Sequence, residues 1–159
     1  MVLIGAGATL TIDLWGMLLQ RTLRIGSLNF CLLGRWVCHM PGGPFRHQSI
    51  VAATPKRFEC PIGWMAHYGI GIGLAAGFIG LAPAEWLARP ALGPALLYGL
   101  GTVVFPLFVM QPAFGLGLAG SRSASPWVTR LKSLSTHAVF GTGLYGWALA
   151  AGYLLPSCV

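Results

Sequence analysis

Four long apolar stretches, separated by short polar segments, dominate the chain. They cover about residues 2–20, 61–81, 91–118 and 133–155, and the longest polar segment is 21–60. Each stretch provides the ~20 helical residues that a hydrocarbon core requires. Open sheets are excluded in lipid because their unpaired backbone groups would cost too much free energy. The pattern predicts an all-α membrane protein, with one domain over residues 1–159 built as an up-down bundle of four transmembrane helices.

The segments beside the first and second stretches add detail to this prediction. The first stretch carries Asp13 and lacks both a positive start and a small-residue cleavage site, so it predicts a retained helix rather than a signal peptide. Within segment 21–60, helical spacing predicts an interfacial helix over 27–40 with Ser27 as its N-cap. Between the second and third stretches, Pro83 to Arg89 predicts one short helical turn with Trp86 at headgroup depth.

Composition and charge strengthen the membrane prediction and set an orientation. Hydrophobic residues make up 55% of the chain and charged residues 8%, against roughly a quarter charged in soluble domains. Nine of the ten cationic residues fall in segments 21–57 and 122–132. The positive-inside rule therefore predicts that both segments face the cytoplasm and that both termini lie outside, in the periplasm. Attraction of these loops to anionic lipid explains the net charge of +7 without nucleic acid as a partner.

The cysteines and glycines have ordinary interpretations in this topology. Cys31, Cys38 and Cys60 fall on the predicted cytoplasmic side, where thiols stay reduced, and Cys158 falls outside. Without a CxxC pair, a zinc ribbon is not expected. Glycines at 69, 73 and 77 form two overlapping GxxxG motifs, which favour either close packing within the chain or a homodimer or larger membrane complex through glycine-rich faces.

One strongly polar side chain in each stretch falls about 8–12 Å from the inner boundary, at 1.5 Å per residue. These side chains are Asp13, His67, Gln111 and His137. An up-down bundle would place His67 opposite His137, and prolines 106 and 112 would kink the third helix near Gln111. Ionisable residues in a membrane mark functional sites by default, although the four residues could also be polar pairs that only fix helix register.

Three function classes fit this layer of polar residues. A small transporter or proton-relay protein would use Asp13 and the two histidines as titrating groups, and this class is favoured. A metal or haem protein would use His67 and His137 as ligands, with Asp13 or with the loop residues His39 and His47. An accessory or assembly subunit would depend on the glycine faces alone. No nucleophile–base arrangement supports an enzyme, and no cofactor is expected.

Arg35 joins His39 and His47 as a candidate binding residue in the first loop. Together with other residues along the chain, it carries a likeness to a known family. The residues of the likeness are Gly7, Thr9, Asp13-Leu14-Trp15, Ser27, Asn29, Gly34-Arg35-Trp36, His39-Met40, Phe45-Arg46-His47, Gly63-Trp64, Ala66-His67-Tyr68, Leu92-Gly93-Pro94, Gln111-Pro112, Arg130, Ser133-Leu134, His137 and Phe140-Gly141. In these positions the chain resembles the bacterial membrane family known as domain of unknown function 2938. The resemblance implies a small protein of the bacterial inner membrane and brings no activity with it.

Overall fold

The computed structural model describes residues 1–154, and every regular element in that range is helical. The α-helices are α1 (Val2–Leu23), α2 (Phe30–His39), α3 (Glu59–Leu81), α4 (Leu92–Gly101), α5 (Gln111–Ala113) and α6 (Pro126–Leu154). A π-helix (Phe105–Met110) lies between α4 and α5, and two single 3₁₀ turns cover Ala84–Trp86 and Leu118–Gly120. The predicted all-helical architecture is confirmed for the described residues.

Within residues 1–154, three helical stretches are long and apolar enough to cross a membrane, namely Val2–Leu23, Glu59–Leu81 and Leu92–Ala113. The α6 helix is not one of them, although it has 29 residues. It begins at Pro126 rather than near residue 133, so its first turns carry Arg130 and Lys132, and serines, a threonine and His137 follow. This polar content lowers its hydropathy below that of the other three. The predicted end of the fourth stretch, Leu155, lies outside the described residues, as does Cys158.

The predicted third helix ends earlier than expected and is interrupted. It was expected to reach residue 118, but the last α-helical residue is Ala113. Beyond it, Gly115 and Gly117 have φ angles of 87° and 73°, which favour glycine and end the helix. Within the stretch, the regular α-helix stops at Gly101 and gives way to the π-helix. The predicted disturbance near the two prolines is therefore confirmed, and it takes the form of a π-helix.

The first loop contains the short helix that was predicted, with a different cap. The side chain of Asn29 accepts a hydrogen bond from the Cys31 amide, so Asn29 and not Ser27 is the N-cap of α2. Upstream, α1 continues three residues beyond its predicted end and stops where Arg24 takes a left-handed conformation with φ 55°. The predicted loop 21–60 is therefore shorter, because α3 also begins two residues early, at Glu59.

The chain forms two compact units. The first unit takes residues 1–27, 68–102 and those from 135 onward, and the second takes 28–67 and 103–134. The first unit has an apolar core around Ala8, Phe78 and Leu144. The core of the second unit comprises Leu33, Trp36, Ile50, Ala113 and Phe114. Each unit therefore has its own apolar core, and the residues of α3 and α6 are divided between the two units.

Trp86 is buried within the first unit. Its ring is 4% exposed and packs against Phe78, with 4.6 Å between the ring centroids. Its indole N–H donates to the carbonyl of Ala91 at 3.0 Å. Because both its ring and its N–H have partners inside the first unit, Trp86 is part of the apolar core of that unit; its predicted headgroup depth stays a prediction.

Close packing between α1 and α3 does not use the GxxxG motifs. A Cβ atom added at Gly5 would lie 2.6 Å from the Cα of Ile72, and one added at Gly71 would overlap the Thr9 hydroxyl. In contrast, Gly69 and Gly73 have open space around the same position, whereas a Cβ added at Gly77 would lie 3.0 Å from the Tyr98 hydroxyl. Packing against α1 therefore uses a different face of α3, and the GxxxG face is exposed at Gly69 and Gly73.

We expect Gly5→Ala to lower the free energy of unfolding by about 1–3 kcal/mol, because the added methyl group meets backbone atoms that cannot move independently. Gly69→Ala is the matched control, and it should be neutral or stabilising by up to about 1 kcal/mol because alanine favours helix. Thermal unfolding in detergent would measure both. An equal loss of stability at Gly69 would contradict this assignment of the packed face.

Candidate functional site

The four polar residues predicted to form one layer divide between the two units. Asp13 and His137 belong to the first unit, whereas His67 and Gln111 belong to the second. Each has a neighbour that the sequence did not single out as its partner, so the four local environments differ.

Asp13 of α1 is half-buried and accepts a hydrogen bond from the Tyr68 hydroxyl at 3.0 Å. Two residues further along α1, the Trp15 indole N–H donates to the Ser135 hydroxyl at 3.3 Å. A carboxylate within a membrane-spanning helix needs such donors, because hydrocarbon provides none. Asp13 is thus placed as an acceptor facing α3, and the hydroxyl of Tyr68 can exchange a proton with it.

His137 of α6 pairs with Thr102, at the point where α4 ends. The Thr102 hydroxyl lies 2.6 Å from the carbonyl of Gly99 and 2.7 Å from Nδ1 of His137. Since the hydroxyl has one hydrogen and the carbonyl can only accept, the hydroxyl donates to Gly99 and accepts from Nδ1–H. This assigns the Nδ1–H tautomer and leaves Nε2 with a lone pair. The hydrogen bond with Thr102 thus fixes the orientation of the His137 ring.

His67 of α3 lies among aromatic rings in the second unit. Its ring stacks on Phe30 with 4.1 Å between centroids and a 26° angle between the planes. Trp64 contacts it edge-on at 6.0 Å. His67 is therefore packed against aromatic side chains of α2 and α3.

Gln111, the first residue of α5, is 3% exposed. Its amide N–H donates to the Ser133 hydroxyl at 3.1 Å, while its carbonyl oxygen Oε1 is buried without a hydrogen-bond partner among residues 1–154. The glycine at 120 lies against Oε1, so that a Cβ added there would be 3.2 Å away. A buried acceptor without a donor costs about 1–3 kcal/mol. The Gln111 carbonyl oxygen can therefore accept a further hydrogen bond.

Arg35 of α2 makes five hydrogen bonds in the second unit. Nε and Nη2 donate to the two carboxylate oxygens of Glu59 at 2.9 and 2.8 Å. Nη1 donates to the carbonyls of Ile50, Val51 and Ala53 at 3.0–3.3 Å. The hydrogen bonds with Glu59 raise the pKa of Arg35 above its ordinary value. With these donors occupied, Arg35 fastens the loop to α3 rather than presenting a free cation.

The two loop histidines predicted as candidates lie side by side. The rings of His39 and His47 are 5.1 Å apart in an edge-on arrangement. Nε2 of His39 is 3.0 Å from the carbonyl of Thr54, whereas both ring nitrogens of His47 are buried without a partner. Within residues 1–154 no group of three His, Cys, Asp or Glu side chains is placed to hold a metal ion.

The expectation of ordinary thiols is wrong for two cysteines. Cys31 of α2 and Cys60 of α3 form a disulfide bond, with their Cα atoms 3.9 Å apart, while Cys38 is free. The close approach follows from Gly34 and Gly63, each of which lies one turn after one of the bonded cysteines. The repeated C-x-x-G pattern, Cys31 to Gly34 and Cys60 to Gly63, is the sequence signal that could have revealed the pair.

A cavity of about 230 Å³ opens in the first unit, away from all of these residues. Its lining is Thr11, Thr142, Gly143, Gly146, Trp147 and Ala150. None of the predicted site residues lines it.

Comparison with known proteins places the chain in a family. A family model described as "Protein of unknown function (DUF2938)" matches residues 2–151. The chain belongs to this family. Residues 2–151 include all the predicted site residues, so the resemblance noted in the sequence is confirmed. No curated protein and no solved structure matches the chain.

Arg35→Lys should lower the free energy of unfolding by about 2–3 kcal/mol, because an ammonium group cannot bridge a carboxylate and three carbonyls at once. The matched control is Arg46→Lys in the same loop, where the side chain is exposed and a change within about 0.5 kcal/mol is expected. Chemical unfolding in detergent, followed by circular dichroism, would compare them. Equal stability of the two variants would refute the anchoring role of Arg35.

Proposed function

We propose that this DUF2938 protein is a small transporter or proton-relay protein that moves protons or a small polar solute across the bacterial inner membrane. The supporting observation is the interrupted third span, Leu92–Ala113. Its α-helix stops at Gly101, and a buried polar side chain follows at each end of the irregular segment, Thr102 and Gln111.

Such an interruption leaves backbone hydrogen bonds of the helix unmade. Pro106 has no N–H, so it cannot donate to the carbonyl four residues earlier, as a regular helix requires. The Gln111 amide instead donates to the carbonyl of Pro106, five residues back. Irregular backbone at membrane depth is tolerated where it is buried in protein or lines a polar path, and transporters place binding sites at such breaks. The Gln111 carbonyl oxygen supplies an acceptor for the moving species.

Two proton-exchanging pairs in the first unit support the same proposal. Asp13 with Tyr68, and His137 with Thr102, each combine a titratable group with a hydroxyl within hydrogen-bonding distance. Hydroxyl groups relay protons because they donate and accept at once. His67 among its aromatic neighbours provides a third titratable group, in the second unit.

The proposed orientation follows from the distribution of charge. The second unit holds seven of the ten cationic residues and one of the three acidic residues, Glu59. Short basic segments are retained on the cytoplasmic side of the inner membrane. We therefore propose that α6 is a fourth span, that the loops of the second unit face the cytoplasm and that both termini are periplasmic.

Asp13→Asn and His137→Ala should each reduce proton flux at least about tenfold, because each removes a group that accepts a proton. The measurement uses proteoliposomes that contain a pH-sensitive dye and are driven by a potassium diffusion potential.

Thr22→Ala, which alters an exposed hydroxyl on α1, is the control and should retain the full flux. Wild-type vesicles that conduct no faster than protein-free vesicles would contradict proton relay and leave a solute as the cargo to test. Normal flux in both Asp13→Asn and His137→Ala would refute the assigned residues.

Gln111→Leu separates function from stability. Leucine removes a buried acceptor without a partner, so the free energy of unfolding should stay within about 1 kcal/mol or rise. Flux in the same vesicles should nevertheless fall at least about tenfold, because a hydrogen bond to the moving species is lost. Full flux in a stable Gln111→Leu protein would show that the carbonyl oxygen has no role in transport.

A second candidate function, an accessory or assembly subunit, is favoured by the exposed glycine face of α3. Gly69 and Gly73 have open space around them, and small residues let helices approach closely in lipid. On this hypothesis Gly73→Leu would leave the stability of the isolated chain unchanged and abolish its association with a second copy or another membrane protein. Cross-linking in native membranes, with Gly26→Ala in the first loop as control, would test it.

A further inference from the structure

The Cys31–Cys60 disulfide contradicts the expectation for a cytoplasmic loop. Disulfide bonds persist in oxidising compartments, and those found in the cytoplasm are usually transient and redox-active. We propose that Cys31 and Cys60 form a thiol–disulfide exchange site for a dithiol reductant of the thioredoxin class. The inference rests on the orientation proposed above and does not require transport.

Reciprocal close contacts pre-align the two sulfur atoms across α2 and α3. A Cβ added at Gly34 would overlap the carbonyl of Glu59, and one added at Gly63 would overlap the carbonyl of Phe30. The Arg35–Glu59 ion pair is close to the disulfide on both helices, with 2.8 Å between Nη2 and Oε1. Arg35 comes about one turn after Cys31, and Glu59 directly precedes Cys60. Because these contacts hold the helices together without the covalent bond, the reduced cysteines stay close enough to be oxidised again.

Access to the bond is unequal, which sets the direction of attack. Cys60 is the second residue of α3 and is exposed, whereas Cys31 is half-buried. Thiolates attack the sulfur that they can reach. The reductant's first thiolate bonds to Sγ of Cys60 and releases Cys31 as a thiolate, which takes up a proton. The reductant's second thiolate then attacks the reductant's first sulfur atom in this mixed disulfide and releases Cys60 as a thiolate, which also takes up a proton. Two electrons have then passed to the chain, and the reductant has become a disulfide.

The bond state would be transmitted to the loop that α2 supports. Trp36 of α2 donates its indole N–H to the carbonyl of Phe45 at 2.8 Å. Farther along the loop, the amide of His47 donates to the carbonyl of Ala113 at 2.8 Å, and that of Ile50 donates to Phe114 at 3.1 Å. The loop therefore lies against residues 113 and 114, which follow Gln111 by two and three positions. Reduction leaves the glycine contacts and the ion pair in place, and it raises the population of transient states in which this loop opens.

Limited proteolysis of the full chain in lipid nanodiscs tests the proposal, with dithiothreitol as the dithiol probe. Trypsin can cut the loop after Arg46, Lys56 and Arg57. Reduction should expose the thiols of Cys31 and Cys60 to a maleimide mass tag without denaturant. It should also accelerate loop cleavage at least about tenfold, because removing a cross-link raises the population of open states.

Cys31→Ser and Cys60→Ser should reproduce the fast cleavage and lose the response to dithiothreitol, while Cys38→Ser should retain both slow cleavage and response. A bond that dithiothreitol reduces only after denaturation would overturn the proposal, as would reduction that leaves cleavage unchanged. In intact cells quenched with acid, a mixture of dithiol and disulfide forms is expected. A population locked as disulfide would refute both exchange and the cytoplasmic orientation, without bearing on the flux measurements.

Discussion

The crossing of α2 over the start of α3 is the contact on which the second unit depends. Two glycines let the backbones meet, and the Arg35–Glu59 ion pair and the disulfide fix the register of the two helices. From there, Arg35 holds three carbonyls of the following loop, and that loop pairs with the end of the third span. A bulkier residue at either glycine would therefore displace the ion pair, the loop and the segment after Gln111 together.

Within the spans, the governing constraint is that hydrocarbon offers polar groups no partners. Asp13 and His137 each form a hydrogen bond with a hydroxyl group of another segment. In Gln111 the amide nitrogen is hydrogen-bonded, whereas the carbonyl oxygen has no partner among the described residues. Natural proteins seldom leave a buried acceptor unpaired, and those they do leave deserve an explanation in terms of strain, an ion or water, or function. The proposed transport role provides that explanation at Gln111.

Much of the fold could be predicted because the length and hydropathy of each apolar stretch depend on local sequence alone. The same holds for the interruption near Pro106 and Pro112, since proline removes a backbone donor wherever it occurs. The start of α6 was missed because Pro126 begins a helix whose first turns are polar. A short polar segment of this kind has the same composition as a loop. The sequence did not reveal the hydrogen-bond partners Tyr68 and Thr102 or the Cys31–Cys60 disulfide. Which side chains contact each other depends on their proximity in three dimensions, and a single sequence does not show that directly.

The π-helix at Phe105–Met110 has a consequence for how members of the family diverge. Its wider turn accommodates one residue more than an α-helical turn, as the Gln111 amide bond to Pro106 reflects. Because the wide turn absorbs that extra residue, loss of a single residue there would restore a regular α-helix and leave the segment beyond it, including Gln111, in place. Only the side chains within the turn would change position. Insertions and deletions in this segment are thus an evolutionary means of exchanging one residue for another within the turn without disturbing the rest of the span.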